Sequence, residues 1–152
     1  MPINPELVGR SYPASEPYEV GREKIAEFAD AIGDANPAYR DRAAAAALGH
    51  PDVVAPPTFA IVLSFSAGRA VIEDPEVGVD YSRVVHGEQS FAFTRPIRAG
   101  DELVATPTIR SIRAAGRNEI LTVDCAITTT AGEPVCTASN TLVVRGTASA
   151  KA

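Results

Sequence analysis

The sequence contains few residues that could bind a metal or form a disulfide. Its 152 residues include only two cysteines, Cys125 and Cys136, and two histidines. The cysteines lie eleven positions apart, without a CxxC motif or a nearby pair of histidines, so the spacing does not indicate a zinc site. We expect reduced thiols that are buried on neighbouring strands, no bound metal and no cofactor.

Basic residues are also scarce, and no apolar run is long. The 14 Lys and Arg residues are outnumbered by 19 Asp and Glu, which gives a net charge of −5. Without a basic excess, neither nucleic acid nor an anionic membrane surface is an expected partner. The longest apolar stretch, Phe59 to Ile72, is interrupted by polar residues, and the N-terminus lacks the pattern of a secretion signal. We therefore expect a cytoplasmic protein that does not span a membrane.

The composition is that of a globular protein, with 45% hydrophobic and 22% charged residues. These values exclude wholesale disorder, and the length fits one domain. We place this domain at residues 1–145 and expect the small, polar residues 146–152 to form a disordered tail.

Helical periodicity is found in the first half of the chain. An apolar stripe with helical spacing predicts a first helix that ends at Gly33, and it consists of Ile25, Phe28, Ala29 and Ile32. An alanine-rich segment, residues 42–48, predicts a short second helix. Residues 58–74 are apolar on nearly every face in their first two-thirds, which predicts a helix buried on all sides.

The second half of the chain alternates with period two and predicts an antiparallel meander. In the first strand, residues 82–97, one face would hold Val85, Gly87, Gln89, Phe91 and Phe93, and the other would hold His86, Glu88, Ser90, Ala92 and Thr94. Pro107 predicts an edge or a bulge in the next strand. A sheet that curls around the apolar helix gives an α+β fold, and its free outer strand favours dimerisation.

The segment Gly33-Asp34-Ala35-Asn36-Pro37-Ala38-Tyr39-Arg40-Asp41 brings a carboxylate, an amide and a phenol close together after the first helix. One interpretation is a helix terminator with Asx turns. The other interpretation is a catalytic loop.

The second interpretation is supported by a resemblance to a known family. The GDxNP motif at residues 33–37, APPTF before the apolar helix and VVHGEQSFAFTRPIRAGDEL after it resemble MaoC-like, R-specific enoyl-thioester hydratases and dehydratases. The resemblance covers about residues 5–145. It implies a hot-dog fold, in which an antiparallel sheet wraps around a long central helix, and a ligand that is an acyl-CoA or acyl-carrier-protein thioester.

The resemblance also implies roles for individual residues. In that family an Asp and a His hold the reacting water, an Asn helps to orient it, and N–H groups at the start of the central helix stabilise the enolate oxygen. Asp34 and Asn36 match the motif, but Tyr39 occupies the position of the His. A phenol, with a pKa near 10, mainly donates a hydrogen bond where an imidazole, with a pKa near 6.5, accepts a proton.

This departure leaves three hypotheses for function. The pattern is similar to the non-catalytic subunit of the mycolic-acid pathway (3R)-hydroxyacyl-carrier-protein dehydratase, which implies a heterodimer with a second MaoC-like chain. Alternatively, the chain is a self-sufficient homodimeric hydratase in which His86 replaces the missing imidazole. The third hypothesis is a thioester-binding protein or thioesterase that uses Asp34.

Five further residues are candidates for substrate binding: His50, Pro57, Thr58, Phe59 and Gly87. The other interpretation of His50, which the residue pattern favours, is a loop residue bonded to backbone groups. Thr58 is equally interpreted as the N-cap of the central helix. The spacing of the two histidines and Asp52 matches no metal template.

Overall fold

The computed structural model describes residues 2–148, and their sheet has five antiparallel strands. In space the strands follow the order β1-β3-β4-β5-β2. Their bounds are β1 Tyr18–Glu19, β2 Val84–Phe93, β3 Glu102–Ala115, β4 Asn118–Thr129 and β5 Pro134–Val144. The predicted meander is confirmed for β3, β4 and β5, which are neighbours in both sequence and space. It is wrong for β2, which pairs with β5 and not with β3.

The helices lie before the long strands, as the periodicity predicts. They are α1 Arg22–Ala31, α2 Arg42–Ala47 and α3 Ile61–Glu73, and 3-10 turns occur at Pro5–Leu7, Pro37–Tyr39, Pro57–Ala60 and Tyr81–Arg83. After α1 the backbone of Gly33 adopts φ +71°, a left-handed conformation that favours glycine. The central helical segment is a separate element, which starts as a 3-10 turn at Pro57 and continues as an α-helix of 13 residues.

One side of α3 packs against the sheet, where Leu63, Ala67 and Val71 are buried. The opposite side is open: Phe65 is 57% exposed, and Arg69 is also exposed. The prediction of a helix buried on all sides is therefore wrong for the chain by itself. A single five-stranded sheet contacts a helix from one direction, so its other face stays uncovered.

A β-bulge at Gly87 changes which side chains of β2 face the helix. His86 pairs with Leu142 and Glu88 with Thr141, so Gly87 is the extra residue. After a bulge the alternation of side chains shifts by one position. The predicted faces are therefore wrong for Val85 and His86, because His86 lies on the helix-facing side with Gln89. They are correct from Glu88 onward, and Glu88 and Ser90 lie together on the outer side.

The N-terminal segment covers the outer edge of β3. The N–H groups of Gly9, Tyr12 and Ser15 donate to carbonyls of β3 at 2.8–2.9 Å. The Tyr12 bond ends on the carbonyl of Pro107, so the missing N–H of this proline faces the N-terminal segment. The β3 bulge itself lies between Ile109 and Ser111, after the proline that prompted its prediction.

The two cysteines occupy neighbouring strands, as predicted. Cys125 on β4 and Cys136 on β5 are both free and buried. Burial raises the pKa of the Cys125 thiol to about 12 and that of the Cys136 thiol to about 11. Thiols in this state contain little thiolate at neutral pH and are poor nucleophiles.

The chain after β5 folds back onto the turn between β3 and β4. Gly146 N donates to Asn118 Oδ1 at 3.1 Å, and Ala148 N donates to the carbonyl of Arg117 at 3.3 Å. Residues 149–152 of the predicted disordered tail lie outside the described residues. Within residues 2–148, every helix is too short or too polar to cross a membrane.

Candidate active site

The loop after α1 presents Asp34 and Asn36 through its own hydrogen bonds. Asp34 N donates to the carbonyl of Ala29 at 2.9 Å, which ties the loop to the end of α1. The Asp34 side chain then accepts from Asn36 N at 3.1 Å. This bond is the Asx turn that the residue types predict. It leaves the second oxygen of the half-buried carboxylate for another partner.

Asn36 caps the 3-10 turn that carries Tyr39. The Oδ1 atom of Asn36 accepts from Ala38 N at 3.0 Å. The carbonyl of Ala38 in turn accepts from Val54 N at 3.2 Å. The loop is thereby joined to the segment that leads directly into the central helix.

Tyr39 is held as a neutral phenol in this loop. The residue is only 9% exposed and belongs to the core cluster. Burial raises the pKa of Tyr39 above its ordinary value of 10.0, and the charge of the nearby Asp34 raises it further. At neutral pH the side chain can donate a proton in a hydrogen bond but is a poor proton acceptor.

Arg40, which the sequence analysis did not single out, binds the loop from its other side. Its guanidinium pairs with Asp30 at 2.6 Å and donates to the carbonyls of Asp34 and Asn36 at 2.8 and 3.2 Å. The only signal in the sequence was an arginine directly after Tyr39. A bond from a side chain to backbone carbonyls leaves no residue pattern by which it could be predicted.

The start of the central helix lies close to this loop. Phe59 is fully buried, and its ring meets that of Phe28 on α1 edge to face, with centroids 5.4 Å apart. Pro57 and Thr58 are exposed. The predicted N-cap at Thr58 is wrong, because Pro56 occupies the cap position and no side chain caps the turn. The N–H of Phe59 donates to the carbonyl of Pro56 at 2.9 Å.

His50 and Asp52 lie in the loop that connects α2 to the start of the central helix, and both make hydrogen bonds there. His50 is half-buried and donates its backbone N–H to the carbonyl of Ala45 at 3.0 Å. Asp52 accepts two hydrogen bonds from Arg22 at 2.7 and 3.0 Å. Arg22 lowers the pKa of Asp52 to about 2. Among the described residues no group of three His, Cys, Asp or Glu side chains could hold a metal ion.

The Asp52–Arg22 pair predicts an acid-dependent loss of stability. Because the pKa of Asp52 is about 2 in the folded chain and about 3.9 in an unfolded one, the pair stabilises the fold above pH ~4. This contribution is lost as the pH falls through about 2. Urea unfolding should show Arg22→Met less stable than wild type at pH 6, with a difference that shrinks towards pH 2. Lys24→Met is the control, and an unchanged difference at low pH would contradict the assignment.

His86 lines a separate groove between β2 and the helix. This groove has a volume of about 610 Å³ and includes Gly68 and Ile72 of α3, Tyr81 and Asn140. The Nε2 atom of His86 lies 3.4 Å from Oε1 of Gln89, and Oδ1 of Asn140 is buried without a partner. Gly87, the bulge residue that follows His86, is not among the residues that line this groove. A Cβ atom at Gly87 would be 3.2 Å from the carbonyl oxygen of Thr141.

Three of the four predicted catalytic residues lie close together, and the fourth, His86, lies apart from them. Asp34, Asn36 and Tyr39 lie together beside the start of the central helix, whereas His86 faces its C-terminal half. At a rise of 1.5 Å per residue, Phe59 and Gly68 are separated by about 13 Å along the helix axis. Within one chain the structure therefore does not bring His86 to the loop.

Comparison with known proteins places this arrangement in a family. Residues 6–138 match the model of the FAS1-like dehydratase domain region. The chain belongs to this family. A UPF0336 protein of Saccharopolyspora erythraea is similar to this chain over nearly its whole length, with 57% identity over 148 residues, 97% of this chain and 95% of that protein.

Solved structures extend the similarity to the fold. The chain resembles a chain in the crystal structure of the HadBC (3R-hydroxyacyl-ACP dehydratase) complex of Mycobacterium tuberculosis. The identity is 33% and the TM-score is 0.80, and the match covers 90% of this chain and 96% of that chain. A MaoC-like dehydratase matches with 40% identity and a TM-score of 0.85, over 91% of this chain and 42% of the other. The predicted hot-dog fold and the resemblance to MaoC-like dehydratases are confirmed.

Proposed function

We propose that this FAS1-like dehydratase chain is one subunit of a (3R)-hydroxyacyl-thioester dehydratase or enoyl-thioester hydratase. It binds an acyl-CoA or acyl-carrier-protein thioester, and a second MaoC-like chain supplies the Asp and His that move the proton. The reaction adds water across the double bond of an enoyl thioester or removes it in the reverse direction.

One observation carries the proposal: a buried, neutral phenol at Tyr39 lies beside Asp34 in the loop next to the central helix. The loop has the carboxylate and the amide of a hydratase but lacks a group that accepts a proton near neutral pH. The similarity to the HadBC complex supports a heteromeric assembly. The exposed Phe65 on α3 and the free edge of β2 offer surfaces for such a partner.

The alternative of a self-sufficient hydratase requires His86 to act with Asp34. Since these residues lie towards opposite ends of α3 within one chain, such a pair would have to form between two copies. The groove around His86 contains the unpartnered Oδ1 atom of Asn140. These features favour a groove that binds part of a ligand or of a partner chain.

The test compares the purified chain alone with the chain co-expressed with a MaoC-like protein that carries both the Asp and the His of the motif. We expect no hydration of crotonyl-CoA or longer enoyl thioesters by the chain alone and clear hydration by the complex. The complex should keep its activity in both His86→Ala and Asp34→Asn, because the partner supplies the Asp and the His that move the proton.

Other outcomes would favour the remaining hypotheses. Hydration by the chain alone that disappears in His86→Ala but survives in Tyr39→Phe would establish a homodimeric hydratase. Release of free thiol from acyl-CoA without hydration would establish a thioesterase. Either result would overturn the heteromeric proposal.

A further inference from the structure

We propose that Arg40 is a positioning residue, which holds the backbone of Asp34 and Asn36 so that both side chains point towards the candidate site. The inference rests on the proposed function for its catalytic consequence, but its structural part can be tested separately. It assigns a role to a residue outside the Asp-Asn-Tyr cluster.

Four contacts carry the inference. The Nη2 and Nε atoms of Arg40 lie 2.6 and 3.2 Å from Oδ1 of Asp30 at the end of α1. Nη2 also donates to the carbonyl of Asp34 at 2.8 Å, and Nη1 donates to the carbonyl of Asn36 at 3.2 Å. One guanidinium thus joins the last turn of α1 to both site residues.

The carbonyl contacts matter because they fix peptide planes rather than side chains. When the carbonyls of residues 34 and 36 are both held by one rigid group, the backbone between them has little freedom to rotate. The side chains of Asp34 and Asn36, which accept from the N–H groups of residues 36 and 38, are then oriented from the other side. A loop held in this way is preorganised before substrate binds.

Stability of the fold is a weak explanation for the same contacts. The side chain of Asp30 is 70% exposed and that of Arg40 is 32% exposed, and ion pairs this open to solvent contribute little to folding. The planar fork of arginine, however, reaches three acceptors at once, which a lysine ammonium on a flexible stem does not reproduce.

The first test separates positioning from binding and from stability in a Tyr39→His background of the chain alone, where hydration depends on Asp34 and Asn36 of this loop and not on the partner. Arg40→Lys keeps the charge and removes the fork, and Asp30→Asn weakens the anchor. We expect kcat for crotonyl-CoA hydration to fall about tenfold in Arg40→Lys, while the Kd for saturated butyryl-CoA and the midpoint of thermal unfolding change little. An unchanged kcat, or a loss seen only in KM, would overturn the inference.

Arg42 provides the matched control. It lies two residues later at the start of α2, is 66% exposed and approaches Asp52 only to 3.8 Å. Arg42→Lys should leave kcat, Kd and unfolding unchanged, so a similar loss there would show a general effect of charge or surface.

The second test needs no activity. The charge of Asp34 helps to raise the pKa of Tyr39, so release of the loop should lower this pKa towards 10. Carbon-13-labelled tyrosine followed by NMR reports the titration of Tyr39, with Tyr39→Phe assigning the signal. An unchanged titration in Arg40→Lys would overturn the positioning role. If no partner confers activity, the proposed function fails, and this titration still decides the role of Arg40.

Discussion

Replacing Tyr39 by His should give the chain hydratase activity towards crotonyl-CoA that the wild-type chain lacks when purified alone. The substitution restores the imidazole of the MaoC-like motif beside Asp34, where the wild-type protein holds a phenol with a raised pKa. A general base with a pKa near neutrality contributes about 10²- to 10⁴-fold to rate. The measurement is loss of the enoyl-thioester absorbance, followed over a range of pH.

Two variants separate the imidazole from simple removal of the tyrosine. Tyr39→Phe should remain inactive, because it removes the hydroxyl without adding a base. Asp34→Asn introduced into Tyr39→His should abolish the gain, since the imidazole then loses its carboxylate partner. A folded Tyr39→His variant that remains inactive would show that the reacting water is not held at this loop.

Replacing Phe59 by Ala should destabilise the protein by about 3–5 kcal/mol, the usual cost of truncating a buried phenylalanine. The ring is fully buried at the start of the central helix and contacts Phe28 edge to face. Its loss leaves a cavity between α1 and the helix that neither element can close by itself. Urea unfolding, with the midpoint and slope both measured, provides the change in free energy.

Phe65 provides the comparison because it lies on the same helical segment but is 57% exposed. Phe65→Ala should change the free energy of unfolding by less than about 1 kcal/mol. Equal losses in the two variants would mean that the outer face of α3 is covered in solution. The unfolding midpoint of the wild type would then rise with protein concentration.

The fold was predictable where the pattern is local. The buried positions Ile25 and Ala29 of α1 and the alternation in β4 and β5 follow directly from which side chains must be buried, whereas Ile32, the last residue of the predicted stripe, is exposed. The shift at Gly87 was not predictable, because a bulge depends on how β2 pairs with β5. The exposure of Phe65 was missed for a similar reason, since it depends on how far the sheet extends around α3.

The candidate site was predictable to a smaller extent. The resemblance identified Asp34, Asn36 and Tyr39 as neighbours in one loop, but it offered no distance from that loop to His86. The bulge also places His86 on the other face of β2 from the predicted one, and the hypothesis of a homodimeric hydratase depended on this residue. The contacts of Arg40 to two carbonyls follow from the path of the backbone, which residue types alone do not define.

The two borders of the sheet differ in a way that limits how copies can associate. Residues 9–15 occupy the outer side of β3, whereas β2 pairs on one side only within the part of the chain that the structure describes. Addition of strands from another molecule is therefore available along one border. Two copies that pair through β2 would each present only the two-residue strand β1 as the terminal strand of the opposite border, which offers little edge from which a filament could grow.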